Sequence, residues 1–435
     1  MKVLGLSRER ANVHIWLSWL VLTHAILIPF FIEFPGLPFR LTTTDLLGVA
    51  VLGAWALANG TDGLRSLHEV PAFWASVALV LAHWVALLAA QDLVSGLKEV
   101  VKLTSILAFY AVLAGMTLRP ADRSRLTWAL LLGAVIVSLI AIVESIGKPL
   151  GWGYLEHRAA GTMGHANTLG GYLAALSPVG WGLLWTEMET RRRPWVLFLI
   201  FGILLCMGTA LLLTLSRAAW LSFGVAIAVT TWGLLRAKRR GPARRTWAVA
   251  GLGVMVVAVI VLGIAAWTSQ TGNLTGSLVV QRLLATNPLS SFGDRERVAL
   301  MEAAWGMFLD HPWLGVGPGN FPSYVQQYTT FQPAWRHEFP HNVVLHVAAE
   351  AGVIGLLSFL WWTGSIIALG YWRVVRATHA AGGFSPGLTV GAFAGAVSVF
   401  VGSLFGYPFV HGTWEPFVYC LALTMAAQLG GGDDS

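Results

Sequence analysis

Between Asp294 and Gly355 an otherwise apolar chain gathers the groups best suited to chemistry: GDRERVALMEAAWGMFLDHPWLGVGPGNF, then HEFPHNVVLHVAAEAGVIG. Val298, Met301, Ala304, Trp305 and Phe308 recur at helical spacing and Pro312 ends the run, so the spacing predicts a helix with Asp294 as its N-cap. Arg295 and Arg297 then fall in the first turn, where the helix dipole disfavours cations unless an anion is bound. Guanidinium forks beside free N–H groups suit phosphate oxygens, and a solvated Arg-Glu-Arg face is the plainer alternative. The turn GVGPGNF lacks the GK[ST] ending of a nucleotide-binding loop and is a weak signal on its own. A histidine side chain can accept a proton from a hydroxyl, which makes His341 the candidate general base. His346 and Glu350 follow in the same apolar run, Glu350 reading as a buried packing or hydrogen-bonding group. The string HEFPH also fits the HExxH zinc pattern, but Pro340 inside it opposes the helix that would set both imidazoles on one face. No metal ligand set is assigned.

Other polar groups stand where apolar runs end. Arg217, in LTLSRAAW, falls at the hinge between two runs, where a guanidinium beside lipid is usually paired or faces a polar cavity. Lys98 and Lys102 are i, i+4 neighbours that either extend an anion site or are balanced by Glu99 and Asp92. Arg158 and His165, in RAAGTMGHANTLGGYL, are further candidates for substrate binding.

The elements that must position these groups follow from hydropathy. Of the residues 56% are hydrophobic and 11% charged, against about 25% charged in soluble domains, and mean hydropathy is +0.67. Twelve apolar runs are long enough, or nearly so, to span a bilayer: about 13–32, 45–58, 71–90, 99–117, 126–146, 168–187, 195–214, 219–235, 247–267, 343–370, 388–407 and 413–429. The first is too long, and lacks a small-residue cleavage site, to be a removable signal peptide. The expectation is an all-α polytopic membrane protein of about twelve transmembrane helices: nine spans in 1–267, one long loop with short helices in 268–342, and three spans with a short tail in 343–435. With both termini cytoplasmic, eighteen of the 28 Lys and Arg lie inside, as the positive-inside rule expects. The ten others, among them Lys98, Lys102, Arg158, Arg217, Arg295 and Arg297, lie at or beyond the outer face and need a local reason such as an anionic ligand. The net charge of +7 is mostly loop charge and does not indicate nucleic acid. Cys206 and Cys420 lie inside apolar runs and read as packing residues.

SRAAW at 216–220, Arg297 followed by Pro312 and GVGPGNF, and HN-x2-L-x4-E-x-G-x2-G from His341 to Gly355 together resemble the O-antigen ligase and polymerase family of bacterial envelope enzymes. RAAGTMGHANTLGGYL resembles that family's other outer-face signature. The resemblance implies metal-independent, inverting transfer of a glycan from undecaprenyl diphosphate to a sugar hydroxyl of a lipid- or glycan-linked acceptor, in the inner membrane with the site on the periplasmic face. It implies diphosphate binding by Arg217 and Arg297, with Arg295 the alternative to Arg297, and a catalytic His341; it implies no cofactor. Ligation to lipid A–core and repeat-unit polymerisation differ only in acceptor, and ligation is preferred because one loop offers little surface for a long polymer. A lipid-linked glycan transporter is disfavoured because mid-span positions are almost free of Lys, Asp and Glu. A zinc protease is the remaining alternative.

Overall fold

The computed structural model describes residues 8–30, 32, 42–116, 120–147, 158–190, 194–237, 292–330, 339–377, 386–406 and 413–425. Among these, the chain forms helices and no β-strand. They are α1 (Arg8–Leu27), α2 (Thr43–Ser66), α3 (Phe73–Ala86), α4 (Leu93–Gly115), α5 (Pro120–Gly147), α6 (Ala166–Thr190), α7 (Pro194–Leu213), α8 (Arg217–Ala237), α9 (Phe292–Asp310), α10 (Phe321–Tyr328), α11 (Val343–Ala377), α12 (Pro386–Ser403) and α13 (Trp414–Met425). The all-α membrane class therefore holds.

Among the described residues, fewer crossings are identified than the twelve expected of the whole chain. Five described helices are long and apolar enough to cross a bilayer: α5, α7, α8, α11 and α12. A sixth crossing results if α2 and α3, which meet at a 96° bend, form one broken span. Helix α4 carries Lys98, Glu99 and Lys102, which make it more polar than a lipid-spanning helix. The run at 247–267 lies outside the described residues.

Helix α6 is the packing centre. Leu169, Tyr172, Leu173, Ala174, Ala175, Leu176 and Val179 are all fully buried. Antiparallel to it runs α12, whose Gly387, Gly391 and Gly395 repeat every four residues along one face. A Cβ on these glycines would lie 2.3, 2.2 and 2.3 Å from the carbonyl oxygens of Gly182, Pro178 and Ala175. Only hydrogen fits between the backbones, which is how small residues bring membrane helices together. Outward-facing Leu57, Trp74, Phe198 and Leu357 are exposed, as lipid-facing residues of a bilayer protein should be.

The antiparallel packing sorts helix ends. The C-terminal ends of α5, α7 and α12 and the N-terminal ends of α4, α6, α8, α11 and α13 meet at one end of the bundle. Contacts there include Ala159 N–H to Leu213 O at 3.0 Å, Gly161 N–H to Glu144 Oε2 at 2.7 Å, and Asn342 Nδ2 to Leu404 O at 3.3 Å. At the opposite end Arg373 donates to Met425 O at 2.8 Å, joining the C-terminal ends of α11 and α13.

The long α11 is broken where the sequence reading had one span over 343–370. Gly352 has φ 61° and ψ −159°, and the helix resumes from Val353 to Ala377. Val353 N–H, which an unbroken helix would give to Ala349 O, donates instead to Pro312 O at 2.7 Å.

Candidate functional site

Arg217 is the first residue of α8 and is half-buried. It follows a sharp break: Leu215 has φ 52°, rare for a β- or γ-branched side chain, and is fully buried. Ser216 caps α8, its Oγ accepting from Ala219 N–H at 3.4 Å. Trp220 Nε1 donates back to Leu211 O at 3.0 Å and ties the two helices across the break. Arg158 reaches the same place, its Nε donating to Thr214 O at 2.9 Å and its terminal nitrogen to Asn167 Oδ1. His165 Nδ1 accepts Asn167 N–H at 3.2 Å and so caps α6. The segment 158–173 is thus a set of caps and braces around the backbone that presents Arg217.

Arg295 is exposed and Arg297 half-buried, both on α9. The helix starts at Phe292, two residues before the expected cap at Asp294. Arg295 therefore closes the first turn and Arg297 sits in the second, a correction to the reading that put both at the helix start. Leu300, Ala303, Ala304 and Met307 bury the other face of α9 in a cluster with Val316, Phe321, Tyr324, Val325 and Ala349, against which Leu345 packs. Leu300 is one turn from Arg297 and Leu345 one turn from His341, so this cluster joins the two segments.

His341 precedes α11 with φ 52°, and no other described histidine has a left-handed backbone. For a residue with a Cβ this costs about 1–2 kcal/mol and persists only where neighbours enforce it. Two neighbours do so. Pro340 is buried on one side, and Asn342 caps α11 on the other, its Oδ1 accepting Val344 N–H at 3.0 Å and Leu345 N–H at 3.1 Å. Phe339 to Asn342 are not helical, so the helix that an HExxH site requires begins only at Val343; His337 and Glu338 lie outside the described residues. Asn342 Nδ2 also reaches Leu404 O, and two residues earlier Gly402 faces Ser222 of α8, whose Oγ would lie 3.1 Å from an added Cβ. The C-terminal end of α12 thus lies between the His341 and Arg217 segments.

The glycine-rich turn does work that its sequence did not disclose. Gly315, Gly317 and Gly319 have φ of 68°, 93° and 69°. A Cβ at these positions would lie 2.4 Å from Glu350 C, 2.5 Å from Ala90 Cα and 2.6 Å from Ser95 O. The turn is wedged between α11 and the start of α4, and cradling phosphate is not its evident task. Asn320 completes the wedge: its Oδ1 accepts Asp92 N–H at 2.8 Å and its Nδ2 donates to Asp92 O at 3.2 Å. Asp92 caps α4, and hydrogen bonds from the Ser95 hydroxyl, then from Ser95 N–H and Val94 N–H, hold its carboxyl below the ordinary carboxylate range.

Lys98 on α4 is exposed, whereas Lys102 is half-buried and pairs with Glu99 at 3.4 Å. Lys102, Glu99, His83, Pro318, His346 and Glu350 line a small recess of about 30 Å³, partly open to the surroundings. His346 Nε2 lies 3.5 Å from Glu350 Oε2 there. The sequence reading named Lys102 but not this grouping, because its members come from three helices and a loop. It also passed over Asn342, although Asn before an apolar helical run is a recognised start signal.

These features define an integral membrane protein with arginines, lysines and a strained histidine gathered at one end of an all-α bundle. Its sequence matches the family profile described as O-Antigen ligase over residues 202–360. It is also 28% identical over 159 residues to a protein named O-antigen ligase from Salmonella typhimurium, a match covering 35% of this chain and 35% of that protein. The chain thus spans about a third of the length of the curated relative it matches. Over residues 202–360 the chain is similar to the O-antigen ligase family. That stretch holds Arg217, Arg295, Arg297, the glycine turn, His341 and Glu350; Lys98, Lys102, Arg158 and His165 lie before it.

Proposed function

We propose that this protein transfers a glycan from undecaprenyl diphosphate to a sugar hydroxyl at the periplasmic face of the inner membrane, by a metal-independent inverting reaction. The preferred acceptor is lipid A–core or a related surface glycan. The observation that carries the reading is that the segments bearing Arg217, Arg297 and His341 meet at one end of the bundle within the family-matched stretch. His341 accepts the proton of the incoming hydroxyl as its oxygen attacks the anomeric carbon. The bond from that carbon to the diphosphate breaks on the opposite face, and the diphosphate leaves with the electron pair. Arg217 and Arg297 meet the charge that develops on the leaving group, and preplaced cations in a site of low dielectric stabilise it without reorganising. Arg295 is the alternative diphosphate ligand, its exposure making it the weaker one. Arg158 and His165 brace the Arg217 backbone, which gives them a supporting role in donor binding.

The test is transfer by the purified protein, using a defined undecaprenyl-diphosphate glycan and a lipid A–core acceptor, with products resolved on a gel. Arg217→Ala, Arg297→Ala and His341→Ala should each abolish product while the protein stays in the membrane, and chelation should leave the wild type active. Full transfer by all three variants would refute the assignment. Activity lost on chelation and restored by zinc would favour the protease chemistry. Product only with a lipid-linked repeat unit as acceptor would identify a polymerase.

A further inference from the structure

We propose that Glu350 is a positioning residue for donor binding: from α11 its carboxylate clasps the start of α10 and the glycine turn, and so fixes Arg297 relative to His341. The proposal rests on the diphosphate role given to Arg297 above.

Glu350 is 4% exposed. A carboxyl buried to that degree is costly unless hydrogen-bonded, so its partners matter. Its Oε2 accepts Gly319 N–H at 2.7 Å and its Oε1 accepts Phe321 N–H at 3.0 Å. Phe321 is the first residue of α10, and its N–H is one of the donors that every helix start leaves without an internal partner. Asn320, in the cap position, makes no side-chain cap because its amide is engaged with Asp92. Glu350 caps α10 from another helix instead, its carboxyl oxygen taking the place of a cap side chain.

The backbone beside Glu350 grips the same loop. Val316 N–H donates to Ala349 O at 2.9 Å and Gly317 N–H to Glu350 O at 3.0 Å. Ala349 O is available because the break at Gly352 has turned Val353 N–H toward Pro312. The break in α11, the glycine turn and the carboxylate are therefore parts of one clasp. Helix α9 ends at Asp310, just before the loop enters the clasp, and its apolar face shares a cluster with Val316, Phe321 and Ala349. Displacing the loop moves the cluster, and with it the helix that carries Arg297.

The experiment measures the affinity of the full-length protein in nanodiscs for undecaprenyl diphosphate, with melting temperature recorded in parallel. Glu350→Ala should weaken binding about tenfold, the scale of coupling between groups that share one packed unit. Glu350→Gln, which keeps one oxygen acceptor, should lose less and remains informative if the alanine variant does not fold. The distinguishing readout is a double-mutant cycle, since a purely structural residue would act alike in every background. Glu350→Ala should cost nothing further in an Arg297→Ala protein but its full factor in an Arg217→Ala protein. Unchanged affinity in Glu350→Ala and Glu350→Gln, or losses that multiply equally in both backgrounds, would overturn the clasp and leave the proposed function standing. Wild-type affinity in Arg297→Ala would overturn the diphosphate assignment, and the clasp's role with it.

Discussion

Replacing Asn342 by alanine should uncouple the histidine from the bundle at little cost to stability. The cap bonds to Val344 and Leu345 are worth about 1 kcal/mol, and removing an N-cap asparagine costs 0.5–2 kcal/mol in general. The left-handed backbone at His341 costs about 1–2 kcal/mol, so cap and strain are of similar size. Without the cap the first turn of α11 can fray and His341 can relax toward φ < 0, while the bundle, held by the α6 and α12 contacts, stays folded. A displacement of about 1 Å at a reacting group lowers turnover by roughly 100-fold, so kcat should fall about 10–100-fold. The melting temperature should drop by only a few degrees, as about 1 kcal/mol spread over a chain of this size implies. Asn342→Asp separates the contributions: its carboxylate can still cap α11 but cannot donate to Leu404 O, so it should retain most of the turnover. The assay is single-turnover transfer from undecaprenyl-diphosphate glycan alongside thermal melting in the same detergent. Wild-type kcat in Asn342→Ala would show that His341 needs no enforced geometry, and the reasoning from its backbone would fail.

Two further perturbations probe other parts of the structure. Gly317→Ala places a Cβ 2.5 Å from Ala90 Cα at φ 93°, a clash with backbone rather than with a flexible side chain. It should cost upward of about 2 kcal/mol and lower both the yield of monodisperse protein and the melting temperature, whereas an unchanged melting curve would mean that the turn does not hold α4 against α11. A cysteine from Arg295→Cys should react with an impermeant maleimide added to intact spheroplasts, and one from Arg125→Cys, whose native side chain is 70% exposed, only after permeabilisation. The native thiols interfere little, since Cys420 is buried and Cys206 partly so. Labelling in the reverse order would put the proposed site on the cytosolic face.

The membrane class and the locations of the polar segments were legible because both are written locally: long apolar runs, and arginines or histidines at their ends. The helix starts at Arg217 and Val343 could be read within a residue or so from Ser216, Pro340 and the apolar runs that follow. What could not be read depends on partners distant in the chain. The HEFPH string illustrates the difference, since Pro340 alone counts against one helix carrying both histidines. GVGPGNF carried no comparable clue, because its glycines answer to Ala90, Ser95 and Glu350, 31 to more than 200 residues away. Asp294 was misplaced as a cap because a capping residue and a residue two positions inside a helix look alike in sequence. The number of spans is hard to read for a related reason. An apolar run shows that a segment avoids water, but protein and lipid both satisfy it, and α6 is buried among its neighbours along most of its length.

The same distinction gives charge a different kind of information. A cation cannot be satisfied equally by lipid and by protein, so its position at a run end constrains both topology and chemistry. Arg123, Arg236, Arg373 and Arg376 stand near helix ends on one side of the bundle; on the other, Arg217 starts α8, Arg158 lies in the segment before α6, and Lys98 and Lys102 lie in the N-terminal half of α4. On the first side the arginines are where the positive-inside rule alone would put them. On the second they accompany a strained histidine and a buried carboxylate. The left-handed backbone at His341 costs free energy that its neighbours must offset, and the buried Glu350 carboxyl is satisfied by Gly319 and Phe321 N–H, so both are tied to the loops and breaks that shape that end.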